Sequence, residues 1–314
     1  MLVVQATRFG GPDVLVAHQV PAPPAAPGTA LVGVAAVDTL FVETRIRAGT
    51  ARAWFDTSPP YVPGNGVAGA VWAVGEGVDP ALVGRRVAAL HAGAYAEQVV
   101  VPADALVPVP DALESTEAAA LLHDGSTALA LADLAEPKPD HRVLVVGGTG
   151  GAGVLLVQLA HAAGAYVVAT ARGDAKQDLA RRLGADEVVD PAAADWASYQ
   201  ADIVVDGIGG TIGTAAFAAV RDGGTFLAYG APTADGFAAP DRAAADRRGV
   251  TIRGIADIQL TPERHRALVA RAFALATEGT IAPVVGQTYP LREAAAAHAA
   301  IESRAVTGKT LLIP

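Results

Sequence analysis

The sequence reads as an α/β protein, with a doubly wound parallel sheet and a second domain of short strands forming a small β-barrel. Three features carry this. Between residues 114 and 256 short apolar runs alternate with helical stretches. Residues 1–110 instead hold many short strands broken by Gly and Pro. At the centre of the alternating region, Val143-Leu144-Val145-Val146 runs into Gly147-Gly148-Thr149-Gly150-Gly151-Ala152-Gly153.

Gly148, Gly150 and Gly153 fit G-x-G-x-x-G, with Thr149, Gly151 and Ala152 between them. Alone that pattern is weak evidence. Here it follows an apolar run suited to a buried parallel strand and opens a helix that Gly164 ends. A second strand, Tyr166 to Thr170, completes a unit of about 30 residues, the context that marks a dinucleotide site. Glycine permits the tight turn and lets the backbone approach a pyrophosphate. The helix N-terminus offers N–H groups and a positive dipole end.

The strand end bears on which dinucleotide binds. An NAD site places an acid about 20 residues past the turn, for the ribose 2′-hydroxyl. Thr170-Ala171-Arg172 supplies none. Arg172 and Lys176 stand there instead, and cations suit a 2′-phosphate. Asp174 lies past the strand end, in the loop. NADPH is therefore favoured over NADH.

A chain of 314 residues, 52 % hydrophobic, implies a globular protein of about two domains with a sizeable core. Its formal net charge of −9 disfavours a general affinity for nucleic acid or anionic membrane. Three Lys stand against twenty Arg in an Ala- and Gly-rich chain, a genome-type bias that strips the Arg count of functional meaning. The absence of Cys excludes disulfides, thiolate catalysis and Cys-ligated zinc. The seven His are scattered, with no H-x-x-x-H pair, so no metal is expected. With no signal-like N-terminus and no long apolar run, a cytoplasmic protein without a membrane partner is expected.

In chain order, strands are expected over 2–6, 13–16, 30–37, 69–78, 84–90 and 94–101, with Pro21 to Gly28 a loop. Ser115-Thr116-Glu117 starts a helix that runs to Leu134. Strands and helices then alternate over 143–146, 153–163, 165–170, 175–183, 187–189, 202–206, 211–221, 224–229 and 250–255. Asp206-Gly207-Ile208-Gly209 and Tyr229-Gly230 end two of these strands. Ligands bind outside the carboxyl ends of such strands, so Gly207 and Gly230 are expected to face the cofactor. Helices over 262–277 and 291–303 and a strand over 310–313 make a tail too small for its own core, which should pack onto the first domain.

The chain resembles the zinc-free medium-chain dehydrogenases/reductases of the NADPH:quinone oxidoreductase, zeta-crystallin-like group. The resemblance covers almost the whole length. It rests on the order of Val42 to Gly49, Pro63-Gly64, Val74 to Val78, Gly93 to Glu97, the turn at 148–153, Leu183 to Asp186, Tyr289-Pro290-Leu291, Glu302-Ser303-Arg304 and Gly308-Lys309. It implies a GroES-like catalytic domain from residues 1–113 and 257–314, a Rossmann NADPH-binding domain over 114–256, and an active cleft where they meet. It also implies a homodimer paired through the last Rossmann strand, Thr251 to Ile255. Thr127 then matches a contact to the nicotinamide carboxamide, and Gly150-Gly151-Ala152-Gly153 the pyrophosphate loop, with Gly148 and Thr149 also expected at the cofactor. Arg172 and Lys176 fall in the 2′-phosphate region, Thr170 at the strand end is also expected to bind the cofactor, and Arg304 matches a C-terminal cofactor contact.

The departures from the family pattern gather at the substrate end. Gly64-Asn65-Gly66 replaces the Gly-His-Glu of zinc relatives, and Gly66 also stands where quinone reductases keep a Glu. Leu40 replaces an Asn, Arg45 a Tyr, and Pro191 a cofactor-contacting Tyr. Leu40, Arg45, Trp54 and Asn65 are the expected substrate-cleft residues.

The expected reaction is hydride transfer from NADPH to a quinone or other α,β-unsaturated carbonyl, a small-molecule partner whose conjugation spreads charge without a metal. His123, Tyr61 and Tyr95 are the candidate proton donors. Trp54, Phe55 and Tyr61 are expected to form an aromatic lid for a flat substrate. Two other readings stay open: a stereospecific enoyl or enone reductase of a polyketide-type pathway, and an NADPH-binding protein with a non-catalytic role.

Overall fold

Short Val- and Ala-rich runs become paired strands at both ends of the chain and in its middle. The computed structural model describes residues 1–230, 237–258 and 260–314. The chain divides into two units. Residues 1–123, 262–278 and 283–314 form one, and residues 124–261 and 279–282 the other.

The first unit opens with an antiparallel pair, β1 (Leu2–Ala6) and β2 (Leu15–Gln19). β3 (Thr29–Asp38), α1 (Phe41–Ala48), β4 (Gly66–Val74), β5 (Arg86–Leu90), β6 (Gln98–Pro102) and β7 (Val107–Pro108) follow. α2 (Ser115–Ala135) then contributes residues to both units.

The second unit alternates strand and helix: β8 (Arg142–Val146), α3 (Gly151–Ala162), β9 (Tyr166–Thr170), α4 (Asp174–Arg182), β10 (Glu187–Val189), β11 (Ala201–Asp206), α5 (Gly210–Ala216), β12 (Val220–Ala228), α6 (Arg242–Arg248) and β13 (Thr251–Gly254). Among the described residues its six strands are all parallel, in the order β10-β9-β8-β11-β12-β13. That is the doubly wound sheet. β8 is buried from Val143 to Val146, which is why it reads as a continuous apolar run.

The tail returns to the first unit as α7 (Pro262–Thr277), β14 (Val285–Pro290), α8 (Ala294–Glu302) and β15 (Lys309–Ile313). β14 and β15 join the first sheet, ordered β14-β15-β3-β4-β5-β7, with β6 also on β3. β3 has β4 along one edge. Along the other, β6 pairs with its first half and β15 with its end. Leu291, Ala294, Ala297 and Leu312 from the tail enter the same core as Val4, Val32 and Val99.

Several elements differ from their expected form. Residues 12–14 make a 3-10 turn begun by Pro12, and the strand starts only at Leu15. The strand expected from Ala94 starts at Gln98, because the Tyr95 N–H bonds the Pro63 carbonyl in a loop contact. α1, α6 and β14 were not foreseen. α1 buries Glu43, Thr44 and Arg47, so its polar side faces inward and its hydrophobic pattern is inverted. Among the described residues no helix is long and apolar enough to cross a membrane.

Candidate active site

In the second unit the turn after β8 is built by close approach. Gly147 takes φ of +85°, and its N–H donates to Thr170 Oγ1 at 2.8 Å. A Cβ on Gly153 would lie 2.2 Å from the Gly147 carbonyl oxygen, so α3 can start this close to the strand end only with glycine. A Cβ on Gly151 would lie 2.0 Å from Asp124 Oδ2, which sets that carboxylate beside the start of α3. Thr149 is buried and Thr127 half-buried.

Thr170 corrects an expectation. It is 1 % exposed and its hydroxyl is spent on Gly147, so it shapes the loop instead of presenting a side chain to a ligand. Arg172 is exposed just past β9, and Lys176 is half-buried on α4, where burial lowers its ammonium pKa. Gly207 and Gly230 end β11 and β12 against each other. A Cβ on Gly230 would meet the Gly207 carbonyl at 2.0 Å, and one on Gly207 would meet Tyr229 Oη at 2.4 Å. Close packing against backbone therefore requires glycine at 230, whereas at 207 the neighbour is the tip of the Tyr229 side chain. Tyr229 and the buried Asp206, whose carboxylate accepts the Ile208 and Gly209 N–H groups, stand at the same strand ends. Both belong to the turns expected from the sequence to face the cofactor, though only Gly207 and Gly230 were named there as site residues.

The first unit contains a pocket of about 630 Å³. Leu40, Glu43, Phe55, Tyr61, Asn65 and His123 are among its lining residues. The structure thus brings together four of the expected residues: Leu40, Tyr61, Asn65 and His123. Arg45 lies on α1 but does not line the pocket, and Trp54 is 68 % exposed and outside it. Of the expected aromatic lid, only Phe55 and Tyr61 reach the cavity. Arg304 lies in the same unit, exposed at φ of +57° just after α8.

Tyr95 is fully buried and its phenol is committed. Oη donates to Glu43 Oε2 at 2.8 Å and meets His298 Nε2 at 2.7 Å. It cannot act as the donor. Tyr61 differs: its Oη is buried with no hydrogen-bond partner among the described residues. Burial, then the Glu43 charge, pushes this phenol up to about 12, so it keeps its hydrogen. Glu43 itself is 2 % exposed, and burial drives its carboxyl up to about 7 although the Leu40 N–H and Tyr95 bond it. Asn65 Nδ2 reaches its other oxygen at 3.5 Å.

His123 contacts the buried Asp38 through Nδ1, and Lys309 pairs with the other Asp38 oxygen. Burial alone would raise the Asp38 pKa. Lys309 and His123 together hold it below the ordinary carboxylate value. Asp38, Glu43 and Lys309 were not foreseen as site residues. The available signal was an acid closing the apolar run Ala30 to Val37 and a second acid five residues on.

A family model described as the alcohol dehydrogenase GroES-like domain matches residues 26–111, and one described as zinc-binding dehydrogenase matches residues 183–312. The quinone oxidoreductase of Sus scrofa is 31 % identical, over 100 % of this chain and 98 % of its own. This chain belongs to the quinone oxidoreductase group of the medium-chain dehydrogenases/reductases. A 2-haloacrylate reductase of a Burkholderia species is also 31 % identical, over 98 % of this chain and 97 % of its own. A mycobacterial structure complexed with NADPH superposes with a TM-score of 0.90 at 32 % identity, covering both chains fully. The zinc of one model's description does not fit this member. It has no Cys, and among the described residues no three His, Asp or Glu gather to hold a metal ion.

Proposed function

We propose that this chain is an NADPH-dependent oxidoreductase that reduces an uncharged quinone or other α,β-unsaturated carbonyl, with no step at a metal. The observation that carries this reading is a pocket holding two different donors: the unpartnered Tyr61 hydroxyl and the Asp38-bound His123. NADPH, when bound, supplies the hydride. The glycine turn with the α3 N-terminus suits its pyrophosphate, and Arg172 with Lys176 its 2′-phosphate. His123 and Thr127 are one turn apart on α2.

In this reading Tyr61 donates a hydrogen bond to the acceptor's carbonyl oxygen, where negative charge develops. His123 delivers the proton that completes reduction. Among the described residues no Lys or Arg lines the pocket, and Glu43 does, so a neutral acceptor fits better than a carboxylate such as a haloacrylate. We read the assembly as a homodimer joined through the edge strand β13.

The test is oxidation of NADPH and, in parallel, NADH against neutral quinones, neutral enones and 2-chloroacrylate, with Arg172→Ala beside the parent. The expected result is turnover of neutral acceptors with an NADPH preference that Arg172→Ala reduces about tenfold, the worth of one charge-assisted bond. Tight NADPH binding without oxidation by any acceptor would overturn the catalytic reading.

A further inference from the structure

Three strands meet under the pocket. Leu311 on β15 pairs with Asp38 at the end of β3, and Lys309, two residues earlier, projects from the same face as Leu311. On the other edge of β3, Val37 pairs with Val67, which sets Asp38 beside Gly66. Gly66 leaves room for a ring: a Cβ there would stand 3.2 Å from His123 Cε1. His123 thus lies over Gly66 and meets Asp38 Oδ2 through Nδ1, while Lys309 Nζ pairs with Oδ1. The Asp38 and Lys309 side chains are 0 % and 5 % exposed, whereas that of His123 keeps 21 % at the pocket. Burying such an ion pair is costly and gives little stability, so its presence calls for another reason.

We propose that Asp38, paired with Lys309, is the positioning residue for His123: it accepts the Nδ1 hydrogen and leaves Nε2 to pass its proton to the reduced acceptor. This rests on the reading of His123 as donor given above. The Nε2–H bond breaks, and an O–H or C–H bond forms on the anion left by hydride addition. The ring ends neutral with its hydrogen on Nδ1, the tautomer that Asp38 stabilises. Lys309 keeps Asp38 ionised, so Asp38 orients the ring without taking the proton itself. Glu43 and His265 also interact electrostatically with the ring. The His265 ring centroid is 5.9 Å away, and burial, then His123, lowers it to about 4, so it stays neutral beside the donor.

Two measurements test this. The first is nitrogen-15 NMR of the intact protein above neutral pH, with His123 assigned by comparison with His123→Gln. The Nδ1–H tautomer is expected; the Nε2–H tautomer overturns the proposal whatever the donor is. The second is a kinetic cycle of Asp38→Asn, His123→Gln and the double variant, with NADPH and a benzoquinone. Asp38→Asn should lower kcat about 100-fold, the scale of general acid catalysis, with the quinone KM and NADPH Kd within about twofold. In the His123→Gln background it should change kcat less than about twofold, because its effect passes through the ring. An equal loss in both backgrounds makes Asp38 structural and overturns the proposal. Full activity in His123→Gln overturns the donor reading, and the positioning role with it. If Asp38→Asn does not fold, Asp38→Asn/Lys309→Met, which removes both buried charges, takes its place in the cycle with the same expected outcomes.

Discussion

Glu43 shows how one side chain links the pocket to the stability of the fold. Its carboxyl is raised from 4.5 to about 7, chiefly by burial. A carboxyl raised on folding supports the native state fully below its unfolded value. That support is lost as pH climbs through the folded value. Between pH 4.5 and 7 the loss is on the order of 3 kcal/mol. Glu43→Gln keeps the shape and removes the titration. Urea unfolding at pH 5 and pH 8 should show the parent losing stability relative to this variant as pH rises; equal slopes would rule out a raised Glu43. His298 and His265, lowered mainly by burial to about 3 and about 4, act in the opposite sense: their contribution is present above pH 6.5 and lost in acid. Both proteins carry them, so the difference isolates Glu43. Tyr61 has a catalytic counterpart test. Tyr61→Phe should lower kcat/KM for the acceptor about three- to tenfold, the net worth of a neutral hydrogen bond, and leave NADPH affinity unchanged. An unchanged kcat/KM would remove Tyr61 from the site.

Among the elements, α1 and the turn before α3 make a contrast. The turn is local. Its glycines follow from how close a strand end, a helix start and a pyrophosphate must come, and the sequence displays that need directly. Gly153→Ala puts a Cβ about where the Gly147 carbonyl stands, 2.2 Å away. We expect NADPH affinity to fall at least about tenfold by fluorescence titration, with far-UV circular dichroism preserved. Undiminished affinity would mean that the turn is not the cofactor loop. α1 is not local. Eight residues are too few for a helix to hold by propensity. It forms because its polar groups find partners: Glu43 with Tyr95 and the Leu40 N–H, Arg47 with Glu302, and Thr44 Oγ1 with the Phe41 carbonyl. Gly49 at φ of +78° then ends it, its N–H bonding the Ile46 carbonyl.

Across the whole molecule, the second sheet leaves β13 paired on one side, by β12. Among the described residues that edge has no further strand, and in the proposed homodimer it would pair with a second copy. Sedimentation equilibrium should give about twice the 31.6 kDa chain mass. A single-chain mass would remove the dimer from the proposal.

Most of the second unit was legible in the sequence because its information is local in the chain. A buried parallel strand is an apolar run, a dinucleotide turn is a glycine pattern, and a missing acid after Thr170 is visible by counting. The family was legible for the same reason, as short stretches in a fixed order. The absence of Cys also settled the thiolate chemistry that is excluded. The pocket was legible only in part. Leu40, Tyr61, Asn65 and His123 line it as expected of cleft residues, and Glu43 lines it without being expected. Asp38 and Lys309 stand behind His123 unforeseen, Trp54 and Arg45 do not line the pocket, and Tyr95 and Thr170 are buried and already bonded. Their placement depends on contacts across long separations: β3 paired with β15 at Asp38 and Leu311, the Thr39 hydroxyl just past β3 donating to the Thr310 carbonyl 271 residues on, and α1 against Tyr95, which also meets His298. A buried acid and an exposed one look alike in a sequence. Only the packing that removes water from Asp38 and Glu43 and brings Lys309 to one of them decides which carboxyl is an orienting anion and which is held near neutrality.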